Sequence, residues 1–203
     1  MSKRSLLMIV VMIAFVAVTA FAGGQQEGAA GMEESDEPQT IAVIVPPVEN
    51  PFFGTMQDMA AAKAEELGYN TIKLVHDDDA TKQMEQFESM IAQGVSAIIL
   101  DNAGADATVS AVRAANEAGI GVFLVDREIT EEGLAVSQIV SNNYQGATIL
   151  AEYFAELMEF EGQYVELTGR DTDTNAHVRS QGYHDVLDEY PDLQEGTQEE
   201  AKP

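Results

Sequence analysis

The sequence contains no cysteine, and its 10 Lys+Arg are far outnumbered by 35 Asp+Glu, for a formal charge of −25 over 203 residues. Without cysteine there are no disulfides, no thiolate metal sites, no cysteine nucleophile and no lipid-modified N-terminal cysteine. Such a chain crosses into an oxidising compartment with nothing to mis-pair. A surface so poor in cations repels phosphate backbones and anionic lipid, which argues against a nucleic-acid partner and against docking on a membrane surface. Catalytic signatures are missing too: the sequence has no GxSxG, no Walker loop and no GxGxxG, and nothing pairs a nucleophile with a base. The reading is therefore a non-catalytic chain with no cofactor and no metal.

What is present starts with a processing signal. Lys3 and Arg4 precede an apolar run from Leu6 to Val18, and Ala20-Phe21-Ala22 supplies a small-x-small cleavage pattern. The run is slightly short of the roughly 20 residues a membrane span needs. Residues 1–22 are thus expected to be a signal peptide cleaved after Ala22, which implies a periplasmic protein that is not a lipoprotein. Residues 23–39 are mostly Gly, Gln, Glu, Ala and Ser, too poor in large apolar groups to order themselves, and are expected to form a flexible acidic linker.

From Thr40 onward, apolar runs rich in β-branched residues alternate with segments of helical period. Strands are expected at 40–46, 71–75, 97–100, 121–125 and 137–140. Helices are expected at 50–67, capped by Asn50 with Pro51 at its first position, and at 81–93 and 107–118. Gly68, Gly94 and Gly119 stop these three helices. Strands this uniformly apolar are buried on both faces, so the sheet should be parallel with helices on both sides. A helix at 145–158 should turn Ile149, Leu150, Tyr153, Phe154 and Leu157 inward. A strand at 162–168 and a helix at 175–189 follow, and the polar chain after Tyr190 carries no strand signal. The expected fold is α/β: a Rossmann-like parallel-sheet lobe over 40–140 and the incomplete first part of a second similar lobe over 141–203.

In parallel α/β sheets, ligands bind beyond the carboxyl ends of the strands. Asn50, Phe52 and Phe53 follow the first strand, Asp101 and Asn102 the third, and Asp126 and Arg127 the fourth; the polar stretch 170–179 follows the strand of the second part. Together these residue types suit a sugar. Aromatic rings stack on its C–H faces, while carboxylate, amide and guanidinium groups bond the hydroxyl rim in plane. Asp77, Asp78 and Asp79 lack the spaced ligands of a calcium loop and are read as favouring a helix N-terminus. His177 and His184 are seven residues apart, a weak metal pattern without a third ligand.

The stretches IAVIVPPVENPFF (41–53), AIILDNAGADA (97–107), IGVFLVDRE (120–128), VSNNYQGATILAEY (140–153) and VELTGRDTDTNAHVRSQGYHDVL (165–187) resemble the ribose- and galactose-type periplasmic sugar-binding proteins. The resemblance implies a type I periplasmic-binding-protein fold, in which two lobes close over a sugar or polyol, and delivery to the membrane permease of an ABC importer, with a chemoreceptor as a further partner. It implies that Phe52 and Phe53 stack on the sugar and that Asn50, Asp126 and Arg127 bond its hydroxyls. Asp101 falls where ribose-type proteins often carry an amide, and His177 falls near the family's second-lobe arginine. Pro46 departs from a small polar residue. The departures at His177 and Pro46 make another pentose, a hexose or a polyol as fitting a ligand as ribose. Members of that family continue well past residue 203, so the sequence is read as C-terminally truncated, with a non-functional remnant as one alternative. A sugar-responsive regulator of the same fold is the other; it would call for a DNA-binding helix-turn-helix and a basic surface, where this sequence has a signal peptide and strong acidity.

Overall fold

The computed structural model describes residues 38–196 and the backbone of 199–200. The expected signal peptide and nearly all of the expected linker lie outside the described residues.

Five parallel strands form one sheet in the order β2-β1-β3-β4-β5: β1 Thr40–Val45, β2 Asn70–Val75, β3 Ala97–Leu100, β4 Gly121–Val125 and β5 Ser137–Ile139. Three helices connect the first four: α1 Pro51–Glu66, α2 Ala80–Gln93 and α3 Ala105–Glu117. Alternation along the strands sends Ala42, Ile44, Ile98, Leu100, Val122 and Leu124 to one face, where they meet Phe87 and Met90 of α2 and Val112 and Ala115 of α3. Val43 and Val45 point the other way, onto Ala61, Phe53 and Met56 of α1. Each large apolar side chain fully buried in these layers contributes about 1.5–3 kcal/mol. The sheet is thus covered on both sides.

Local chemistry sets the helix ends. The Asn50 side chain accepts the Phe52 N–H at 3.1 Å, and Pro51 opens α1. The Asp79 carboxylate accepts the Thr81 and Lys82 amides at the start of α2, so the acidic triplet does cap a helix. Gly94 closes α2 in the left-handed conformation that other residues adopt only at a cost.

The second part holds α4 Asn143–Leu157 and α5 Thr174–Leu187 packed on each other. Their approach is set by Gly182, where an added Cβ would lie 2.8 Å from Ala147 Cβ and 3.0 Å from the Tyr144 carbonyl oxygen. Three expectations fail here. First, α4 buries Ala147, Ala151 and Ala155, while Ile149, Leu150, Tyr153 and Leu157 are exposed and only Phe154 is packed inward. The small-residue stripe wins because it alone permits the close crossing with α5. Second, the strand expected at 162–168 is two short pieces, β6 Gly162–Tyr164 and β7 Leu167–Thr168. Third, the chain beyond Tyr190 does form strands. β8 Leu193–Glu195 pairs in parallel with β6, and β9 Glu199–Glu200 with β7. β8 is anchored by one buried residue, Leu193, against Ala151, Ala155 and Leu187. A strand with one apolar residue has no alternation to detect.

Candidate functional site

The carboxyl ends of β1–β4 open on the same side of the sheet, and their loops are locked to one another by buried polar groups. After β2, the fully buried His76 ring accepts the Asp78 amide at Nδ1, 3.0 Å, and therefore donates from Nε2 to the Asp101 carbonyl oxygen, 2.8 Å. Burial pushes the His76 pKa down, which keeps the ring neutral in this role. The bond secures a turn in which Asp77 and Asp78 hold positive φ, 55° and 56°. After β3, the Asn102 amide donates to the carbonyl oxygens of Arg127 and Glu128, tying the third loop to the fourth. After β4, Asp126 sits at φ 67°, a strained conformation of the kind held at binding sites.

Arg127 is the hub. Its side chain is nearly buried, and Nη1 donates to Asp78 Oδ1 at 3.1 Å and to the Asn102 carbonyl oxygen at 3.0 Å. Its guanidinium carbon lies 5.3 Å over the Phe53 ring. Nε lies 3.3 Å from Asp173 Oδ2 and 3.6 Å from Asp101 Oδ1, at ion-pair range, yet its N–H is aligned on neither and makes no hydrogen bond. The Asp101 side chain is fully buried, and neither of its oxygens has a hydrogen-bond partner. Burial pushes the Asp101 pKa from 3.8 up to about 8; Asp126, Asp173 and Asp78 add to the rise, and Arg127 opposes it. Burial also raises Asp126. For Arg127, burial disfavours the charge, but Asp101, Asp173 and Asp78 together outweigh it and raise the pKa. The strand-end loops therefore hold a firmly charged guanidinium among acidic side chains, with four buried polar atoms (both Asp101 oxygens, Asn102 Oδ1 and Arg127 Nε) that make no hydrogen bond.

The expected residues divide as follows. Asp101, Arg127 and Phe53 are brought together. The Asp126 backbone joins this group by accepting the Asn175 side-chain amide at 3.0 Å. Phe52 is 54% exposed and meets Phe53 edge-on, ring centroids 5.3 Å apart, so Phe52 has the open ring while Phe53 carries Arg127 on its face. The Asn50 carboxamide oxygen is engaged in capping α1. His177, in the first turn of α5, is exposed and lies against the Asp171 carbonyl oxygen of the preceding loop at 2.8 Å, not in the Arg127 group. The sequence reasoning passed over His76 and read Asp78 only as a helix-terminus charge. It took 170–179 as a polar stretch without singling out Arg170, Asp173 and Asn175. The rule applied to the ends of β1, β3 and β4 would have found His76 and Asp78 had it been applied to β2 as well.

A separate apolar groove between α4, α5 and β6 is lined by Leu150, Phe154, Tyr164, Tyr183 and Leu187, and none of the Arg127 group borders it. At its wall Glu166 and His184, with Glu195, bring ligating atoms within 4.8 Å of one another; His177 is not among them.

Loops at the carboxyl ends of a parallel sheet, carrying buried but unpartnered carboxylate and guanidinium atoms beside an open aromatic ring, define an α/β ligand-binding protein. The chain belongs to the periplasmic binding protein domain family, whose profile matches residues 41–202. It is 56% identical over 161 residues to the D-apiose import binding protein of Actinobacillus succinogenes, covering 79% of this chain and 52% of that protein. It is 31% identical to the ribose import binding protein of Escherichia coli over 73% of this chain and 50% of the relative. Among solved structures, an ABC transporter solute-binding protein from Bacillus halodurans with bound myo-inositol superposes with a TM-score of 0.77 at 25% identity, over 83% of this chain and 59% of that one. The chain spans about half the length of the curated relatives it matches.

Proposed function

We propose that this chain carries ligand-contacting residues of the substrate-binding component of a bacterial ABC sugar importer, which captures a neutral monosaccharide in the periplasm without converting it and presents it to a membrane permease. The observation that carries the reading is the set of buried atoms at the strand ends that make no hydrogen bond: both Asp101 oxygens, Asn102 Oδ1 and Arg127 Nε. Burying such groups without a hydrogen bond costs about 1–3 kcal/mol each, a cost that a ligand with matching groups removes. Sugar hydroxyls do this, since each donates one bond and accepts others. Three carboxylates (Asp78, Asp126 and Asp173) and the protonated Asp101 carboxyl surround two guanidiniums, Arg127 and Arg170, so an anionic ligand is disfavoured and a neutral one fits. The 56% identity to a D-apiose import binding protein favours D-apiose among neutral sugars. The departures from the ribose pattern at His177 and Pro46 disfavour ribose itself.

Phe52 offers its open ring to the sugar face beside Phe53, and Asn50 and Asp126 are further contacts. Closure of the two parts over the ligand excludes water and is the change a permease, or a chemoreceptor, reads. Affinity in this chain is expected to be weak, so saturation-transfer NMR is the assay of choice. D-apiose should receive saturation from the protein more strongly than D-ribose or myo-inositol. Asp126→Ala should abolish the transfer because hydroxyls are left unpaired in a dry cleft. No transfer to any of the three ligands would overturn the reading.

A further inference from the structure

Among the described residues, hydrogen bonds and ion pairs between the two parts of the chain run through one short stretch, residues 170–175. Arg170 Nη1 lies 2.7 Å from Asp78 Oδ2, and its Nη2 donates to the Asp78 carbonyl oxygen at 3.2 Å. The other Asp78 oxygen accepts from Arg127. Two residues on, the Thr172 carbonyl oxygen accepts the Ala105 amide at 3.2 Å. Next, Asp173 faces Arg127 Nε, and Asn175 donates to the Asp126 carbonyl oxygen. All these contacts land on the loops that follow β2, β3 and β4.

The Arg170–Asp78 pair differs from the ion pairs elsewhere on the surface. Its side chains are 30% and 19% exposed, against 61% and 69% for Lys63–Glu66. Partly buried pairs are screened less by salt and hold their geometry better than exposed ones. Asp78 is also presented rigidly, because its amide is bonded to the buried His76 ring and its backbone is fixed at positive φ. One carboxylate thus bridges two guanidiniums, one from each part of the chain.

We infer that Arg170 and Asp78 form a charge latch: the pair holds the 170–175 stretch against the strand-end loops and thereby positions the Arg127 guanidinium. Arg170 acts through Asp78, and Asp78 through Arg127, so both are positioning residues. A partly buried ionic join of this kind is only weakly loosened as ionic strength rises. That the positioned Arg127 meets a sugar rests on the reading above; the latch itself does not, and its test uses no ligand.

The test is hydrogen exchange on the full ligand-free chain. The Ala105 amide reports the join, since its acceptor is Thr172, while the amides of Ala111 and Ala115 report the interior of α3. In Arg170→Gln, Ala105 should exchange at least about tenfold faster, with Ala111 and Ala115 unchanged, the signature of local rather than global opening. Raising the salt to 1 M should move the parent only part of the way towards the variant, because the pair is partly buried. Arg170→Lys, which keeps the charge, should recover part of the protection. The latch is overturned if Ala105 protection is the same in Arg170→Gln and the parent, or if protection falls equally at Ala105, Ala111 and Ala115. A parent that gives no saturation transfer to D-apiose would sink the proposed ligand and leave this comparison intact.

Discussion

Replacing Asp101 by Asn should make the protein more stable at neutral pH, and the gain should grow with pH. Asp101 is fully buried at the end of β3, and its pKa is pushed from 3.8 to about 8, first by burial. Between those two values the folded chain holds a proton that the unfolded chain has released. The stability this contributes is fully present below about 3.8 and is lost progressively as pH rises to about 8. Within that window the loss is roughly 1.4 kcal/mol per pH unit, so about 2–3 kcal/mol between pH 5.5 and 7.5. Asn has nearly the same shape and cannot ionise. Urea unfolding followed by far-ultraviolet circular dichroism at pH 5.5, 6.5 and 7.5 measures the difference between variant and parent. Other titrating groups are common to both chains and cancel. A difference that stays flat with pH, or that grows on acidification, would refute the assignment of Asp101 as a buried carboxyl held protonated by its surroundings.

His76 should act in the opposite sense. Its folded pKa lies below the ordinary 6.5, so the stability tied to its neutral ring is present above pH 6.5 and is lost as pH falls through the folded value. His76→Gln should therefore flatten the fall in stability between pH 6.5 and 5 in the same urea titrations, and an unchanged slope would count against the buried-neutral assignment. Gly182→Ala should cost about 1–3 kcal/mol, because the new methyl meets Ala147 and the Tyr144 carbonyl oxygen across the α4–α5 crossing. The melting temperature reports it, and an unchanged value would mean the two helices are not so closely apposed.

The first five strands and three helices were legible because each carries its signal locally. Runs such as Ile41–Val45 and Ala97–Leu100 are apolar throughout and rich in β-branched residues, and Gly68, Gly94 and Gly119 mark where the helices stop. The same locality failed in the second part. The larger side chains of α4 form the stronger apolar pattern, yet the helix buries its alanines, because the choice of face depends on how closely α5 approaches through Gly182. β8 was invisible because its place is decided by a partner strand and by one residue, Leu193, rather than by alternation.

The sequence by itself determined the class of fold, the strand ends where polar residues would gather, and Asp101 and Arg127 as members of that gathering. Those features follow from periodicity, turn chemistry and position after a buried strand, all of which act within a few residues. Only the tertiary structure decided which charges meet. Arg127 is held by Asp78, 49 residues before it, and lies against Asp173, while Arg170 reaches Asp78 across 92 residues of sequence. Such pairings are set by the convergence of strand ends and loops in space, and side-chain type and spacing along the chain carry no record of that convergence.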